Sequence, residues 1–389
     1  MPATAITQYR QTYERELLER VLPFWTRHSP DPRHGGYFNC LDRDGTVYDT
    51  TKHVWLQGRQ AWLLSALYCD WEQRPEWLDL ARSGVAFLRQ HAIRPDGRVF
   101  FSLAADGQPC YLQRKIFSEC FYVMALAAFA RAAERPALWR EAWAEFERVW
   151  HWADDWTQLG RPAYPGQAAA QTLAVPLILL NVLEVLAGDD PAAYAAEAEA
   201  CIRRLQRHVG PQQSCPLETV APDGSRLPGA EGRLINPGHA IEAGLFLQRW
   251  AQRLARPELS QQALAIVRDA FQTGWDSECG GLYYFWDAQG YSPTPLEWFM
   301  KLWWPHCEAL HAHLLNYTIT GESADWAAFE RVHAYAFERF RDPACGEWFG
   351  YLDRQGNVTH RFKGGPFKGC FHLPRALWHC WCLLRQLES

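Results

Sequence analysis

Four segments of eleven residues repeat along the chain, and they constrain its fold more than any other feature. They read GGYFNCLDRDG (35–45), GRVFFSLAADG (97–107), GGLYYFWDAQG (280–290) and GEWFGYLDRQG (346–356). Each begins and ends with glycine and places aromatic residues ahead of a turn that closes on the second glycine. This pattern predicts a short β-hairpin in each segment.

The spacing of these segments indicates six units. Their starts are separated by 62, 183 and 66 residues, so the middle interval holds about three periods. Two degenerate hairpins are expected within it, at SCPLETVAPDG (214–224) and at the glycine- and proline-rich GRPAYPG (160–166). Six units of roughly 60 residues would then account for the chain.

Between the hairpins, apolar residues recur at helical spacing, with two helices in each interval. The expected helices cover residues 8–24, 53–70, 76–91, 116–133, 137–154, 170–187, 191–208, 238–255, 259–274, 298–319, 324–341 and 370–387. The first and last helices each lack a partner, so they can pair and close a ring. We therefore predict an all-α fold in which residues 1–389 form a single (α/α)6 barrel of twelve helices with short β-hairpins on one face.

In this barrel the more apolar, even-numbered helices are expected inside, with their N-termini opening onto the hairpin face, where a pocket would form. The alternative is an open solenoid of helix pairs, which the complementary ends of the chain disfavour.

Composition narrows the class of protein further. Acidic residues (44) outnumber basic ones (39), which argues against nucleic acid as a partner. The longest apolar run, 173–180, is too short to cross a bilayer, and residues 1–20 are charged, so neither a membrane span nor a signal peptide is expected. The 12 cysteines show no paired spacing, which is typical of reduced thiols and predicts a cytoplasmic location.

The barrel also predicts where chemistry occurs: in the hairpins or the first turns of even-numbered helices. His239 follows Pro237-Gly238 at such a helix start, and Glu242 lies three residues on, on the same face. The helix dipole is expected to keep this histidine neutral, as suits a general base, with the carboxylate orienting the ring. The alternative is a capped helix with a purely structural histidine.

His372 opens another even-numbered helix, after the cationic GGPFKG loop. Two histidines at matched positions in the ring would approach a ligand from different sides. This geometry suits removal of a proton from one face of a carbon and its return to the other. A structural role in the core is the alternative for each ring.

Arg59 lies on an apolar helix with Trp55 and Trp62 nearby. A buried arginine without a ligand needs a carboxylate partner, and Glu119 or Glu242 would serve. As a catalytic group, it would stabilise an enediolate oxygen. Both roles stay open on the sequence alone.

Several further residues are candidates for binding the substrate. Aromatic side chains near helix starts suit the apolar faces of sugar rings, and polar residues in the same turns suit hydroxyl groups. The candidates are Phe117, Glu119, Asn181, Trp303, Trp304 and Phe371.

A metal site is not expected. Glu308 and His311 share a helix face, but His313 does not fall on it, and no H-E-x-x-H motif is present. The chain also has no P-loop and no G-x-G-x-x-G after a strand, so a nucleotide co-substrate is not expected either.

Taken together, GGYFNCLDRDG followed by VWLQGRQAW, then GRLINPGHAIEA, LEWFMKLWWPHCEAL and KGGPFKGCFHLPRA, resemble the N-acylglucosamine 2-epimerase family from about residue 10 to the C-terminus. The resemblance implies a cytoplasmic, homodimeric (α/α)6 barrel that interconverts N-acetylglucosamine and N-acetylmannosamine without a redox cofactor. It also implies that His239 and His372 form the acid/base pair, that Arg59 stabilises the enediolate, and that Glu242 and Glu308 are the active-site glutamates.

Two departures from the family pattern qualify this. Pro305 interrupts a helix where a plain helix former is usual, which would shift Glu308. Some members are activated allosterically by ATP with the help of a basic loop. In the corresponding loop, 157–171, the only cation is Arg161, which argues against ATP activation and leaves it open.

Other functions remain as alternatives. The same histidines would serve a C2 epimerase of mannose, glucose or cellobiose, or an aldose–ketose isomerase. A glycoside hydrolase would need two carboxylates flanking a bond, which Glu242 and Glu308 could imitate while leaving the histidines idle. The non-enzymatic alternative is a protein-binding role with catalytically silent histidines.

Overall fold

Two kinds of helix alternate along the chain in the computed structural model, which describes residues 3–160, 165–166, 168–190, 192–210 and 215–388. One set is amphipathic and buries a single stripe: α1 (Ala3–Arg15), continued through a π-helical turn (Glu16–Val21) into α2 (Leu22–His28), then α4 (Pro75–His91), α6 (Pro136–Asp154), α8 (Ala195–Gln206), α10 (Pro257–Gly274) and α12 (Ser323–Arg339). The other set is more extensively buried: α3 (Val54–Asp70), α5 (Phe117–Ala132), α7 (Ala174–Ala187), α9 (Pro237–Arg253), α11 (Trp303–Thr320) and α13 (His372–Glu388).

The second set forms the inner ring, as the sequence predicts. Consecutive inner helices pack against one another from α3 round to α13, and each also packs on its outer partner. The ring closes where α13 meets α3, through the rings of Trp62 and Phe371 at 5.4 Å and of Trp71 and Trp381 at 4.2 Å. The first outer helix packs on α13. This is the predicted (α/α)6 arrangement, with α1 and α2 counted as one interrupted helix.

Short paired strands connect neighbouring units on one face of the barrel. They are β1 (Cys40–Leu41), β2 (Val47–Asp49), β3 (Lys52–His53), β4 (Ser102–Leu103), β5 (Pro109–Tyr111), β6 (Gln171–Thr172), β7 (Thr219–Val220), β8 (Leu234–Ile235), β9 (Trp286–Asp287), β10 (Lys301–Leu302), β11 (Tyr351–Leu352) and β12 (Val358–His360). The strand before an inner helix pairs with the hairpin of the following unit, as β3–β4, β6–β7, β8–β9 and β10–β11. The last connection returns to the first, because Lys363 and Gly364 hydrogen-bond with Leu41.

The repeated glycine that ends each segment has one conformational role. In the hairpins that the structure describes, its φ lies between 79° and 91°, and its N–H donates to the carbonyl three residues back, at Gly45, Gly107, Gly224, Gly290 and Gly356. Left-handed backbone of this kind favours glycine. The degenerate segment 214–224 therefore forms the expected turn. The segment at 160–166 lies mostly outside the described residues.

Three units share a buried ion pair beneath the hairpin. Lys52 Nζ lies 2.7 Å from Asp31, Lys301 Nζ 3.0 Å from Asp276, and Lys363 Nζ 3.0 Å from Asp342. The sequence analysis did not identify these pairs, because each lysine is distant in sequence from its carboxylate.

Two helix boundaries differ from prediction for a local reason. The helix expected at 298–319 begins only at Trp303, since Lys301 and Leu302 pair with β11 as an extended strand. The helix expected at 8–24 continues from Ala3 to His28 through its π-helical turn. No helix in the described part of the chain is long and apolar enough to span a bilayer.

Candidate active site

The N-termini of α9, α11 and α13 bring the predicted acid/base residues together on the hairpin face. Asn236 caps α9, its side-chain oxygen accepting from the backbone N–H of His239 at 3.2 Å, and Pro237 occupies the first turn, where no amide donor is needed. His372 is the first residue of α13. Both rings therefore sit at helix starts, as predicted.

His239 is held by a carboxylate that the sequence analysis missed. Its Nδ1 lies 3.0 and 3.1 Å from the two carboxylate oxygens of Glu218, which comes from the degenerate hairpin. Burial lowers the pKa of an imidazole, but the carboxylates of Glu218 and Glu242 outweigh it and raise the pKa of His239 to about 9. The raised pKa opposes the expectation that the helix dipole keeps this ring neutral, and it suits a general acid.

His372 has the opposite protonation state. Its Nδ1 donates to Glu308 at 2.7 Å, which leaves Nε2 as the basic nitrogen. Burial lowers the pKa of His372 to about 4; Glu308 opposes this, while the cations of Arg375 and Arg59 reinforce it. His372 is therefore a neutral ring suited to accept a proton.

Arg375 is a second residue that the sequence analysis missed. It lies one turn after His372, is 4% exposed, and donates to Glu308 at 2.6 Å and to Glu242 at 3.4 Å. Although burial favours the protonated acid, Arg375 and His372 lower the pKa of Glu308 to about 2. For Glu242, burial and the neighbouring Glu308 raise the pKa to about 7. The i, i+3 spacing from His372 was the available signal for Arg375.

Arg59 is a partly buried cation with no carboxylate bound to it among the described residues. Its guanidinium lies over the rings of Phe121, Phe371 and Trp55, at 4.3, 4.9 and 5.0 Å from their centroids. Its Nε has no hydrogen-bond partner among the described residues, and burial lowers its pKa to about 9. A guanidinium with an unused donor is prepared to receive oxygen atoms of a ligand.

Glu119 does not pair with Arg59. It forms a buried ion pair with Arg98 at 2.8 Å and accepts the backbone N–H of Val99 at 3.1 Å, which anchors the second hairpin to α5. The described hydrogen bonds of this carboxylate are structural, and its predicted role in substrate binding stays a prediction.

Comparisons with known proteins show the family to which the chain belongs. The sequence profile described as N-acylglucosamine 2-epimerase (GlcNAc 2-epimerase) matches residues 36–375. The chain belongs to the N-acylglucosamine 2-epimerase family. The N-acylglucosamine 2-epimerases of Mus musculus and Bos taurus are 45% and 46% identical to it, over 98% of this chain and 94% and 92% of theirs. Among solved structures, cellobiose 2-epimerase from Bacillus thermoamylovorans B4167 superposes with a TM-score of 0.82 at 20% identity, covering 98% of this chain and 100% of that one.

Within this member of the N-acylglucosamine 2-epimerase family, Trp304 separates the two histidines. Its ring centroid lies 5.2 Å from that of His239 and 5.7 Å from that of His372. Gly238 permits this position, because a Cβ there would lie 2.5 Å from the Trp304 ring. Trp304 therefore lies against both histidine rings.

The other predicted binding residues divide into two groups. The rings of Trp303 and Phe371 lie 6.3 and 5.0 Å from that of His372, so both border the site. Phe117 and Asn181 lie on α5 and α7, and neither makes a hydrogen bond or ring contact with the described catalytic cluster. Their predicted role in substrate binding stays a prediction.

Glu308 keeps its expected place in this family's site despite Pro305. The proline falls in the first turn of α11, where a missing amide donor is tolerated, so the helix continues undistorted to Glu308. The predicted shift of Glu308 therefore does not occur.

One group of side chains has the donor set of a metal site. Oxygens of Glu242 and Glu308 and a ring nitrogen of His372 lie within 4.8 Å of one another. The Arg375 guanidinium already binds both carboxylates, so a metal ion would have to displace it. His311 and His313 do not join this group: His311 stacks on His379 at 4.7 Å, and His313 contacts Asp325 at 3.3 Å.

Proposed function

We propose that this chain is an N-acyl-D-glucosamine 2-epimerase that interconverts N-acetylglucosamine and N-acetylmannosamine. One observation carries the mechanism: His239, whose pKa is raised, and His372, whose pKa is lowered, both lie against Trp304, and Arg59 on the neighbouring helix α3 has an unpaired Nε. The identity to the mouse and bovine epimerases over nearly the whole chain supports the choice of substrate.

The reaction follows from these protonation states. Opening of the pyranose exposes the C1 aldehyde, which acidifies the proton on C2. Nε2 of His372 takes this proton, the C2–H bond breaks, and the electron pair moves to O1 as an enediolate. His239 then donates its proton to the opposite face of C2 and inverts the configuration. The reverse reaction exchanges the two roles.

Arg59 stabilises the charge that develops on O1. Its guanidinium sits among three aromatic rings, where little water screens it, and its unused Nε–H is a donor for the anion. An oriented donor of this kind is worth more in the transition state than in the ground state, because the oxygen becomes charged only as the C2 proton leaves.

The proposal extends to cofactors, assembly and location. Epimerisation causes no net oxidation, so no redox cofactor is required by the chemistry. We propose a cytoplasmic homodimer, on the basis of the family resemblance and the reduced cysteines. Arg161, the only cation of the loop considered for ATP activation, lies outside the described residues. Activation by ATP therefore remains an open proposal.

Incubation in D2O tests the reaction. N-acetylmannosamine and the purified protein are expected to give both epimers with deuterium at C2, as measured by NMR. Mannose and cellobiose, tested in parallel, represent the second candidate, which the superposition on cellobiose 2-epimerase favours at the level of fold. Exchange in mannose or cellobiose but in no N-acyl sugar would overturn the proposed substrate.

A further inference from the structure

Glu242 shares a helix with His239 and belongs to the same side-chain group as His372. Glu242 follows His239 by three residues, so both side chains share a face of α9. The Glu242 carboxylate raises the pKa of the His239 ring. On its other side, one of its oxygens lies within 4.8 Å of a ring nitrogen of His372. The side chains of His239, Glu242 and His372 retain 28, 12 and 12% exposure on inner helices, so all three face open space.

The proposed reaction leaves the enzyme in a different form from the one that started. When His372 removes the C2 proton and His239 supplies the new one, product leaves behind a charged His372 and a neutral His239. A second turnover in the same direction requires one proton to move back from His372 to His239. This requirement rests on the proposed two-histidine function, and it applies to any epimerase with such a mechanism.

We propose that Glu242 carries this proton between turnovers, accepting it from His372 and passing one to His239. The N–H bond on Nε2 of His372 breaks, a carboxyl O–H forms on Glu242, and a carboxyl proton then forms the N–H bond of His239. The sum is transfer of one proton between the histidines, with Glu242 unchanged and no oxidant, reductant or other reactant consumed.

The surrounding charges favour this direction. Proton affinity rises along the route, since the pKa values of His372, Glu242 and His239 are about 4, 7 and 9. Glu308 does not compete for the proton, because Arg375 and His372 hold its pKa at about 2. Arg375 also contacts Glu242 at 3.4 Å, and an oxygen of this carboxylate lies within 4.8 Å of a ring nitrogen of His372.

Single- and multiple-turnover kinetics of Glu242→Gln separate proton return from chemistry. Glutamine keeps the shape of the side chain but carries no exchangeable carboxyl proton. With enzyme in excess, the first turnover is expected to slow only as far as loss of the Glu242 charge lowers the pKa of His239, and therefore to slow less than the later turnovers. At saturating N-acetylmannosamine, kcat is expected to fall at least tenfold and to recover as the concentration of imidazole buffer rises, because the buffer then carries the proton.

Two controls accompany the variant. Glu242→Asp retains a carboxyl group and is expected to recover part of kcat without added buffer. Glu184→Gln alters another inner-helix glutamate, paired with Arg249 at 2.6 Å outside the catalytic cluster, and is expected to leave both phases unchanged.

The outcomes are distinct. If the rates of the first and later turnovers fell equally, Glu242 would act in the chemical step itself. If neither rate fell, solvent would return the proton. Either result would overturn the proposal. Failure of the wild-type enzyme to epimerise any sugar would instead reject the proposed function.

Discussion

At the scale of single residues, the two histidines differ in the groups around them. Glu218 contacts Nδ1 of His239, whereas Glu308 accepts hydrogen bonds from both His372 and Arg375, and burial with the nearby arginines lowers the pKa of His372. The same residue type therefore becomes an acid at one helix start and a base at another.

Removing the Glu218 charge is expected to shift the pH profile. With His372 as base, wild-type kcat/KM falls below about pH 4, where His372 gains a proton, and above about pH 9, where His239 loses its own. In Glu218→Gln the pKa of His239 drops toward its ordinary value near 6.5. The alkaline limb should move down by at least one pH unit while the acid limb stays.

Glu218→Asp is the matched control for this shift, because it keeps the charge and should retain most of the alkaline limb. An unmoved alkaline limb in Glu218→Gln would show that another group sets the protonation of His239.

Replacing Arg59 by Met is expected to separate activity from stability. Loss of a donor to the developing oxyanion should lower kcat by about 10²–10³-fold with little change in KM. Methionine removes a cation that has no bound carboxylate but keeps an apolar side chain against the three rings. The melting temperature should therefore stay unchanged or rise. Steady-state kinetics and thermal melting measure the two effects.

Arg131→Met, at an exposed pair with Asp70, is the control and should change neither quantity appreciably. A coupled loss of activity and melting temperature in Arg59→Met would instead assign Arg59 a structural role.

At the scale of elements, the start of α9 depends on the absence of a side chain at Gly238. A Cβ would lie 2.5 Å from the Trp304 ring and 3.0 Å from Pro305. Gly238→Ala is expected to push Trp304 from between the histidines and to lower kcat/KM at least tenfold. Overpacking of this kind also costs about 1–3 kcal/mol of stability.

Gly244→Ala is a control on the same helix. Its Cβ would lie 2.5 Å from Val267 on the outer helix α10, away from the site. It should lower stability without lowering the activity of the folded fraction. Equal losses of activity in both variants would remove the special role assigned to Gly238.

Much of the element-scale structure follows from the sequence, for physical reasons. Glycine spacing specifies turns, and the extent of apolar periodicity separates inner from outer helices, so the ring and the helix-start histidines were predictable. Glu218 was missed because its segment is degenerate and its role depends on a contact with β8, since its N–H donates to Leu234. The pairing of Glu119 with Arg98 was missed because the two residues lie 21 positions apart in the sequence.

At the scale of the whole molecule, Lys52 joins two units. Its fully buried Nζ donates to Asp31 and to the carbonyl of Gly35 in the first unit, and to the carbonyl of Ala105 in the second. Lys52→Met leaves Asp31 buried without its cation, which is expected to cost about 3–5 kcal/mol. Urea denaturation should show a lower midpoint with an unchanged slope.

The exposed Lys115 provides the control, since Lys115→Met should shift the midpoint by less than about 0.5 kcal/mol in equivalent free energy. A similar small effect of Lys52→Met would show that the strand pairings alone hold adjacent units together.

Because the ring closes, the chain can begin at a different unit while every unit keeps the same neighbours. Arg10 on the first helix donates to Glu388 on the last at 2.6 Å, so these two ends of the polypeptide lie side by side. Inner and outer helices are joined by short connections such as 133–135 and 254–256, opposite the hairpins. A circular permutant that is joined between the ends and opened at one of these connections would keep every strand pairing and the whole catalytic cluster.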